Sequence, residues 1–320
     1  MMQISPETQL FIREHSSDDV RVLALQAKKY PDIDMPTAIT QIAGRKVAAE
    51  KIPSWWEIEK IWYPKHLSLE QCSSEITARY KARLLQGDSL TDLTGGFGID
   101  CSFLATGFKS ATYVERQEEL CEIAAHNFPV LNLNHINIKN EDGVTYLQVM
   151  SPVDCLFLDP ARRNEHGGKT VAISDCEPNV AELEELLLQK ANRVMIKLSP
   201  MLDLSLALKE LKQTQEVHIL SVNNECKELL ILLGQTSPAE ISIHCVNLFT
   251  KGTQKEQHFV FTREQEQCSE CTYTDSLETY LYEPNASLLK AGAFRSIAAA
   301  YPVRKLHPNS HLYTSDTFIE

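Results

Sequence analysis

The chain has 320 residues, of which 43% are hydrophobic and 23% charged, and its formal net charge is -12. That length fills two or three domains with ordinary cores, while no apolar run approaches the roughly 20 residues that span a bilayer. Residues Met1 to Arg13 carry no basic region followed by an apolar one, so no export signal is expected. Nine cysteines, an odd number without the tight pairing of a secreted disulfide framework, predict a reducing, cytoplasmic setting.

From Thr8 to Ile61 apolar residues recur at helical spacing, broken at Tyr30-Pro31-Asp32 and Ile52-Pro53. This predicts an N-terminal helical domain, residues 1–86. Trp55, Trp56 and Trp62 crowd the end of the helical stretch and read as packing surface, with base stacking as the lesser alternative. Ser68 to Leu85 reads as one capped helix, with Ile76, Tyr80 and Leu84 on one face.

Between Asp88 and Gly234 strand and helix signals alternate, as a parallel doubly wound sheet requires. The candidate strands are 89–94, 111–115, 136–140, 153–158, 192–197, 216–222 and 228–233. The last two are joined by only five residues, Asn223 to Lys227, too few for a crossover helix, so the seventh strand must run antiparallel to the sixth. The central domain is placed at 87–236. A third domain, 237–320, is expected from the strand signals Ile241 to Phe249 and His258 to Arg263 and a helical run from Asn285 to Ala300. The sequence stops at Thr317-Phe-Ile-Glu320 without a polar tail, which leads to the expectation that the native chain continues.

The most informative stretch is Asp92-Leu-Thr94-Gly95-Gly96-Phe-Gly98-Ile-Asp100, which closes the first strand. Glycine there lets backbone approach a ligand more closely than a β-carbon permits. Glu115 follows Gly95 by twenty positions, the length of one crossover helix and a strand, which returns a carboxylate to the sheet edge where it can hold a ribose diol. A dinucleotide fingerprint requires a third glycine where Cys101 stands, and Asp92 is a poor neighbour for a phosphate but a good acceptor for an ammonium group. S-adenosylmethionine therefore fits better than a dinucleotide. The bland alternative is a glycine turn that only lets a helix pack on a strand.

Together with Tyr113-Val-Glu115, Phe157-Leu-Asp-Pro-Ala-Arg-Arg163, Glu70-Gln-Cys-Ser-Ser-Glu-Ile-Thr-Ala-Arg-Tyr-Lys81 and Tyr282-Glu-Pro-Asn-Ala-Ser-Leu-Leu-Lys-Ala-Gly292, this stretch resembles the class I S-adenosylmethionine-dependent methyltransferases that carry a THUMP-like C-terminal domain. The central domain is also similar to the trimethylguanosine-synthase-like group, whose members methylate an amino group on RNA. The resemblance implies a Rossmann-like seven-stranded α/β sheet, an N-terminal helical domain and a small α+β THUMP-like domain at residues 237–320. It places the segment from Gln71 to Glu75 over the cofactor.

On this reading Asp92, Thr94, Gly95, Gly96, Gly98, Glu115, Arg116 and Asp142 are the cofactor residues. The glycines abut the methionine moiety, Glu115 accepts from the ribose hydroxyls, and Asp142 accepts from the adenine amino group. Glu141 can replace Asp142, and either carboxylate can instead cap the helix that begins near Val144. Asp159 and Pro160 are the catalytic pair: a carboxylate ending the apolar run Cys155 to Leu158 needs a partner or a wet cleft, and proline stiffens the turn so that acceptors orient an incoming amino group for in-line attack. A turn cap is the alternative for Asp159.

Amino-methylating enzymes often place an aromatic after such a pair, whereas Ala161, Arg162 and Arg163 follow here. A guanidinium plane can stack on a base or meet a phosphate, so Arg162 and Arg163 are candidate substrate residues. Lys197, at the end of the fifth strand, either neutralises a phosphate or pairs with Asp203. The polar segment Asn164 to Asp175 is a candidate lid. Cys268-Ser-Glu-Cys271 is half of a zinc site with no second pair nearby, so no metal is expected.

The resemblance implies, as the substrate, an amino group of a base in tRNA or rRNA. Basic residues at Arg79, Lys81 and Arg83, and at Arg295, Arg304 and Lys305, offer phosphate contacts on an otherwise acidic chain. Two rival readings stay open: methylation of a small metabolite or a protein, favoured by the net charge, and a catalytically silent RNA-binding module that keeps the cofactor for stability.

Overall fold

The computed structural model describes residues 4–162, 172–236 and 238–319. Its contacts divide the chain into two compact units, Met1–Phe157 and Leu158–Glu320.

The first unit opens with α1 (Pro6–Glu14), α2 (Val20–Leu25), α3 (Met35–Lys51), α4 (Pro53–Trp56), α5 (His66–Gln71) and α6 (Glu75–Ala82). Ser5, Asp19 and Asp34 cap the first three by accepting backbone N–H groups of the opening turn. The expected single helix over 68–85 is two helices, because Cys72, Ser73 and Ser74 leave helical geometry and Ser73 reaches across to Asp100. Trp55 is 2% exposed and meets Phe97 edge-on at 5.2 Å, and Trp62 stacks on His126 at 3.7 Å, so both tryptophans pack as the sequence suggests. Trp56 is 42% exposed.

Four strands follow with their helices: β1 (Ser89–Asp92), α7 (Ile99–Ala105), β2 (Ser110–Glu115), α8 (Glu118–Val130), β3 (Ile136–Asn140), α9 (Gly143–Val149) and β4 (Val153–Leu158). They lie in the order β4-β1-β2-β3, all parallel, with Asp92 opposite both Tyr113 and Phe157. Parallel strands joined by helices are covered on their faces, which accounts for the unbroken apolar run Cys155 to Leu158.

In the second unit, β5 (Ala161–Arg162) pairs with β6 (Cys176–Glu177), and α10 (Val180–Lys190) leads into β7 (Ala191–Leu198). Then come α11 (Leu204–Glu210), β8 (Thr214–Val222), β9 (Glu225–Gly234), β10 (Ser242–Leu248) and β11 (Glu256–Thr262), in the order β11-β10-β8-β9-β7. The β8–β9 hairpin turns on Asn223 and Asn224, both at positive φ. β9 is antiparallel to β8, as the short connection requires, and is inserted between β7 and β8. β10 pairs in parallel with β8 and β11 antiparallel with β10, so the two strands after Pro238 lengthen this array.

The chain ends with α12 (Arg263–Cys268), β12 (Tyr280–Tyr282), α13 (Ala286–Ala291), α14 (Phe294–Ala300), β13 (Arg304–Lys305) and β14 (Tyr313–Ser315). The last three strands form a small antiparallel sheet, β12-β14-β13. The helical run from Asn285 is broken at Gly292, whose φ of 73° ends α13 in the left-handed region. Among the described residues, no helix is long and apolar enough to cross a membrane.

One close approach fixes the seam between β1 and α9. A β-carbon at Gly143 would lie 2.1 Å from the carbonyl oxygen of Leu93, a backbone atom held by its place after β1. Gly143→Ala is expected to destabilise the protein by ~1–3 kcal/mol through overpacking. Gly107→Ala, whose added carbon meets nothing nearer than 3.7 Å, is expected to stay within about 0.5 kcal/mol of wild type. Urea unfolding of both variants checks the contrast, and equal stabilities would contradict it.

Candidate active site

The loop from Leu93 to Gly98 turns the chain out of β1 and into α7. Gly96 has φ of 54° and Gly98 of 86°, values that L side chains rarely adopt, so the turn requires glycine at both positions. Gly95 is wedged against the ring of Tyr113, where a β-carbon would fall 2.3 Å from the ring edge. Between the two left-handed glycines, Phe97 is driven into a cluster with Ala48, Ile52, Trp55 and Tyr63. The turn is thereby anchored to α3 and α4 by burial of one aromatic ring.

Glu115 ends β2 beside this turn. Its Oε2 accepts the Gly96 N–H at 2.9 Å and its Oε1 accepts the Gln117 N–H at 2.8 Å, so one carboxylate joins two loops. A carboxylate offers about four acceptor positions, which leaves it further capacity for hydroxyl donors. The Tyr113 hydroxyl donates to the Gly96 carbonyl. Burial, reinforced by the Glu115 charge, pushes the Tyr113 phenol well above its ordinary range and keeps it a donor.

Asp92 is buried at the mouth of the same turn and accepts the Thr94 N–H at 3.0 Å. Arg116 is exposed next to Glu115. Asp142 caps α9, its Oδ1 accepting from Val144 N at 3.1 Å and Thr145 N at 3.0 Å. The first unit thus brings Asp92, Thr94, the glycines and Glu115 to the carboxyl ends of β1 and β2, while Asp142 stands at the end of β3. Cys101, where a third glycine was missing, is buried against Tyr113 and Phe128. Its thiol is held well above the usual range by burial and by Asp92 and Asp100.

Lys81, expected from the sequence to offer a phosphate contact, is instead buried in a polar group behind the turn that the sequence did not reveal. Lys81, 0% exposed, places Nζ 2.8 Å from Asp100 Oδ1 and donates at 2.8 Å to Ser73 Oγ, which in turn donates to Asp100 Oδ2 at 2.7 Å. Asp100 stands in the first turn of α7, where a negative charge also meets the positive end of the helix. The cycle ties the 72–74 break and α6 to the helix that the glycine turn begins. No spacing in the sequence announces it, because Ser73 and Asp100 are 27 residues apart.

In the second unit Asp159 follows β4 and Lys197 lies near the end of β7. Lys197 Nζ stands 2.6 Å from Asp159 Oδ2, with the lysine side chain 8% and the aspartate 37% exposed. Lys197 is therefore paired with Asp159 and not with Asp203, whose Oδ1 instead caps α11 by accepting from Leu206 N at 2.8 Å. A buried ammonium needs such a partner. Pro160 and Ala161 lead into the short β5–β6 ladder, in which Arg162 is opposite Cys176. Arg163 and most of the candidate lid, 164–171, lie outside the described residues.

Known structures resemble this chain to different degrees. A protein from Porphyromonas gingivalis W83 assigned as a methyltransferase is 34% identical over 100% of this chain and 81% of its own, with a TM-score of 0.85. An assigned modification subunit of a type I restriction enzyme from Vibrio vulnificus YJ016 is 12% identical, covering 63% of this chain and 56% of its own, with a TM-score of 0.42. An rRNA methylase from Streptococcus thermophilus is 15% identical over 50% of this chain and 93% of its own, with a TM-score of 0.36. The last two superpose too poorly to bear on function. A sequence-family profile described as a ferredoxin-like domain matches residues 280–320. No curated protein matches the chain.

Lys81→Met removes the cation from a buried carboxylate and is expected to lower stability by ~3–5 kcal/mol, since an unpaired buried charge is left behind. Lys81→Met combined with Asp100→Asn removes both charges and is expected to recover most of that loss. Chemical denaturation of the two variants decides the point, and a double variant no more stable than the single one would show that the pair is not coupled.

Proposed function

The chain belongs to the family of the Porphyromonas gingivalis W83 protein assigned as a methyltransferase, and from that premise we propose that it transfers the methyl group of S-adenosylmethionine to an amino group of a base in tRNA or rRNA. The observation that carries the cofactor half is the joint between Glu115 and the left-handed glycine turn, with Oε2 of the carboxylate 2.9 Å from Gly96 N. A carboxylate fixed by two backbone N–H groups is preorganised to accept from a ribose diol without rearrangement. Asp92 and Thr94 meet the ammonium and carboxylate ends of the methionine moiety, and Gly95, Gly96 and Gly98 let its chain lie against the backbone. Arg116 and Asp142 flank the nucleoside, with the adenine amino group donating to the carboxylate.

The acceptor half rests on Asp159 and Pro160. Asp159 follows Phe157, the strand partner of Asp92, by two residues. In this reading the anionic carboxylate accepts from the substrate amino group and aims the nitrogen lone pair at the sulfonium methyl. S-adenosylmethionine would supply the methyl group there, formation of the C–N bond being balanced by cleavage of its S–C bond, and the extra proton would pass to water. Lys197 holds Asp159 in place, and Arg162 and Arg163 meet RNA phosphate. The C-terminal segment, including the residues matched as ferredoxin-like and read from sequence as THUMP-like, docks the RNA.

The cofactor assignment predicts saturable binding of S-adenosylmethionine by calorimetry. Glu115→Ala is expected to weaken it by about tenfold to a hundredfold, the worth of charge-assisted hydrogen bonds to the ribose. Equal affinity in both proteins, or none in either, would contradict the assignment. The acceptor assignment predicts transfer of labelled methyl to RNA purified from a deletion strain, at a rate at least about a hundredfold lower in Asp159→Ala. Labelling of a metabolite or protein fraction in place of RNA would favour the metabolite or protein alternative.

A further inference from the structure

Away from the site described above, one face of the second unit's strand array gathers ligating side chains that the methyl-transfer reading does not use. Glu216 and His218 are two residues apart on β8 and therefore share a face. His244 on β10 is the register partner of His218. His258 on β11 lies one step along the same face, opposite Val246. The donor atoms of Glu216, His218 and His244 all fall within 4.8 Å of one another.

At present protons hold the group together. His218 Nε2 lies 3.2 Å from Glu216 Oε2, His244 Nδ1 lies 3.0 Å from His258 Nε2, and His244 Nε2 lies 3.1 Å from Ser242 Oγ. The His218 and His244 rings are nearly parallel, 4.3 Å apart with 17° between planes. The other oxygen of Glu216 is taken by Arg193, whose Nη2 is 2.7 Å away.

We propose that Glu216 Oε2, His218 Nε2 and His244 Nε2 form a binding site for a borderline divalent transition-metal ion of the Zn²⁺ and Co²⁺ kind, with water in the remaining position. Two imidazoles and a carboxylate are the donor set that such ions prefer over Mg²⁺ or Ca²⁺. The surrounding shell has the form that metal-ligating residues require. Arg193 fixes the carboxylate through its far oxygen, and the tautomer in which His244 Nδ1 donates its hydrogen bond to His258 Nε2 leaves the His244 Nε2 lone pair for the ion.

Metal–nitrogen distances of about 2.0–2.1 Å bring tetrahedral donors to roughly 3.3 Å apart, so the parallel rings must tilt toward each other. That motion is a rotation about the soft χ2 torsions, in which half-buried His244 exchanges its contact with Ser242 for the ion.

The 320-residue chain, stripped with chelator and titrated with Co²⁺, reads the site directly. One equivalent is expected to bind with visible bands of nitrogen and oxygen ligation and without a thiolate charge-transfer band, and Zn²⁺ is expected to displace it. His244→Ala and Glu216→Gln should each weaken binding by at least about tenfold, and so should His258→Ala, acting through His244. Replacing both Cys268 and Cys271 by serine should leave it unchanged. Should one variant misfold, the other two carry the test. No saturable binding, or binding that survives the β8 and β10 substitutions or disappears with the cysteines, would overturn the proposal.

Discussion

A single carboxylate at the end of β2 constrains the geometry of the loops after β1 and β2. Glu115 accepts from the backbone of Gly96 and of Gln117, so the loop after β1 and the loop after β2 cannot move independently. The turn that results has two left-handed glycines and one aromatic between them, and the aromatic is buried among side chains of the N-terminal helices. Backbone that is tied at both ends in this way presents its N–H and Cα–H groups at fixed positions, which is the property a nucleoside cleft needs.

The N-terminal helices are therefore part of the site's support. Phe97 joins the turn to α3 and α4 by apolar burial, and the Lys81–Ser73–Asp100 cycle joins α6 to α7 by charge. The two attachments differ in kind. Burial of a ring is tolerant of small displacements, whereas a buried ion pair is favourable only at hydrogen-bonding distance, so the cycle sets register where the ring supplies adhesion. The same logic holds Asp159 in the second unit, where Lys197 is the buried cation and the carboxylate is the more exposed partner.

Strands were the most legible part of the sequence. Continuous apolar runs such as Cys155 to Leu158 and Leu229 to Leu233 can only be strands buried on both faces, and the five-residue link from Asn223 to Lys227 admits only an antiparallel return. The glycine turn and Glu115 were legible because their spacing follows from chain length. What stayed hidden was long-range and polar. The break at Cys72 to Ser74 interrupts a good helical pattern for the sake of a contact with Asp100, and local propensity has no record of that. Lys197 has Asp203 nearby in sequence, yet its partner comes from the end of a different strand. The cluster on β8, β10 and β11 was invisible because Glu216, His218, His244 and His258 meet only after β10 adds to β8.

The central claim is that the carboxyl ends of β1 and β2 hold a sulfonium nucleoside by its sugar, and crystals grown with S-adenosylhomocysteine test it most directly. The account predicts both ribose hydroxyls within about 3 Å of the Glu115 carboxylate, with the amino acid end of the ligand lying along Gly95 to Gly98. Density for the ligand at any other place, or a cleft filled by the protein's own side chains with Glu115 still bound only to backbone, would contradict it.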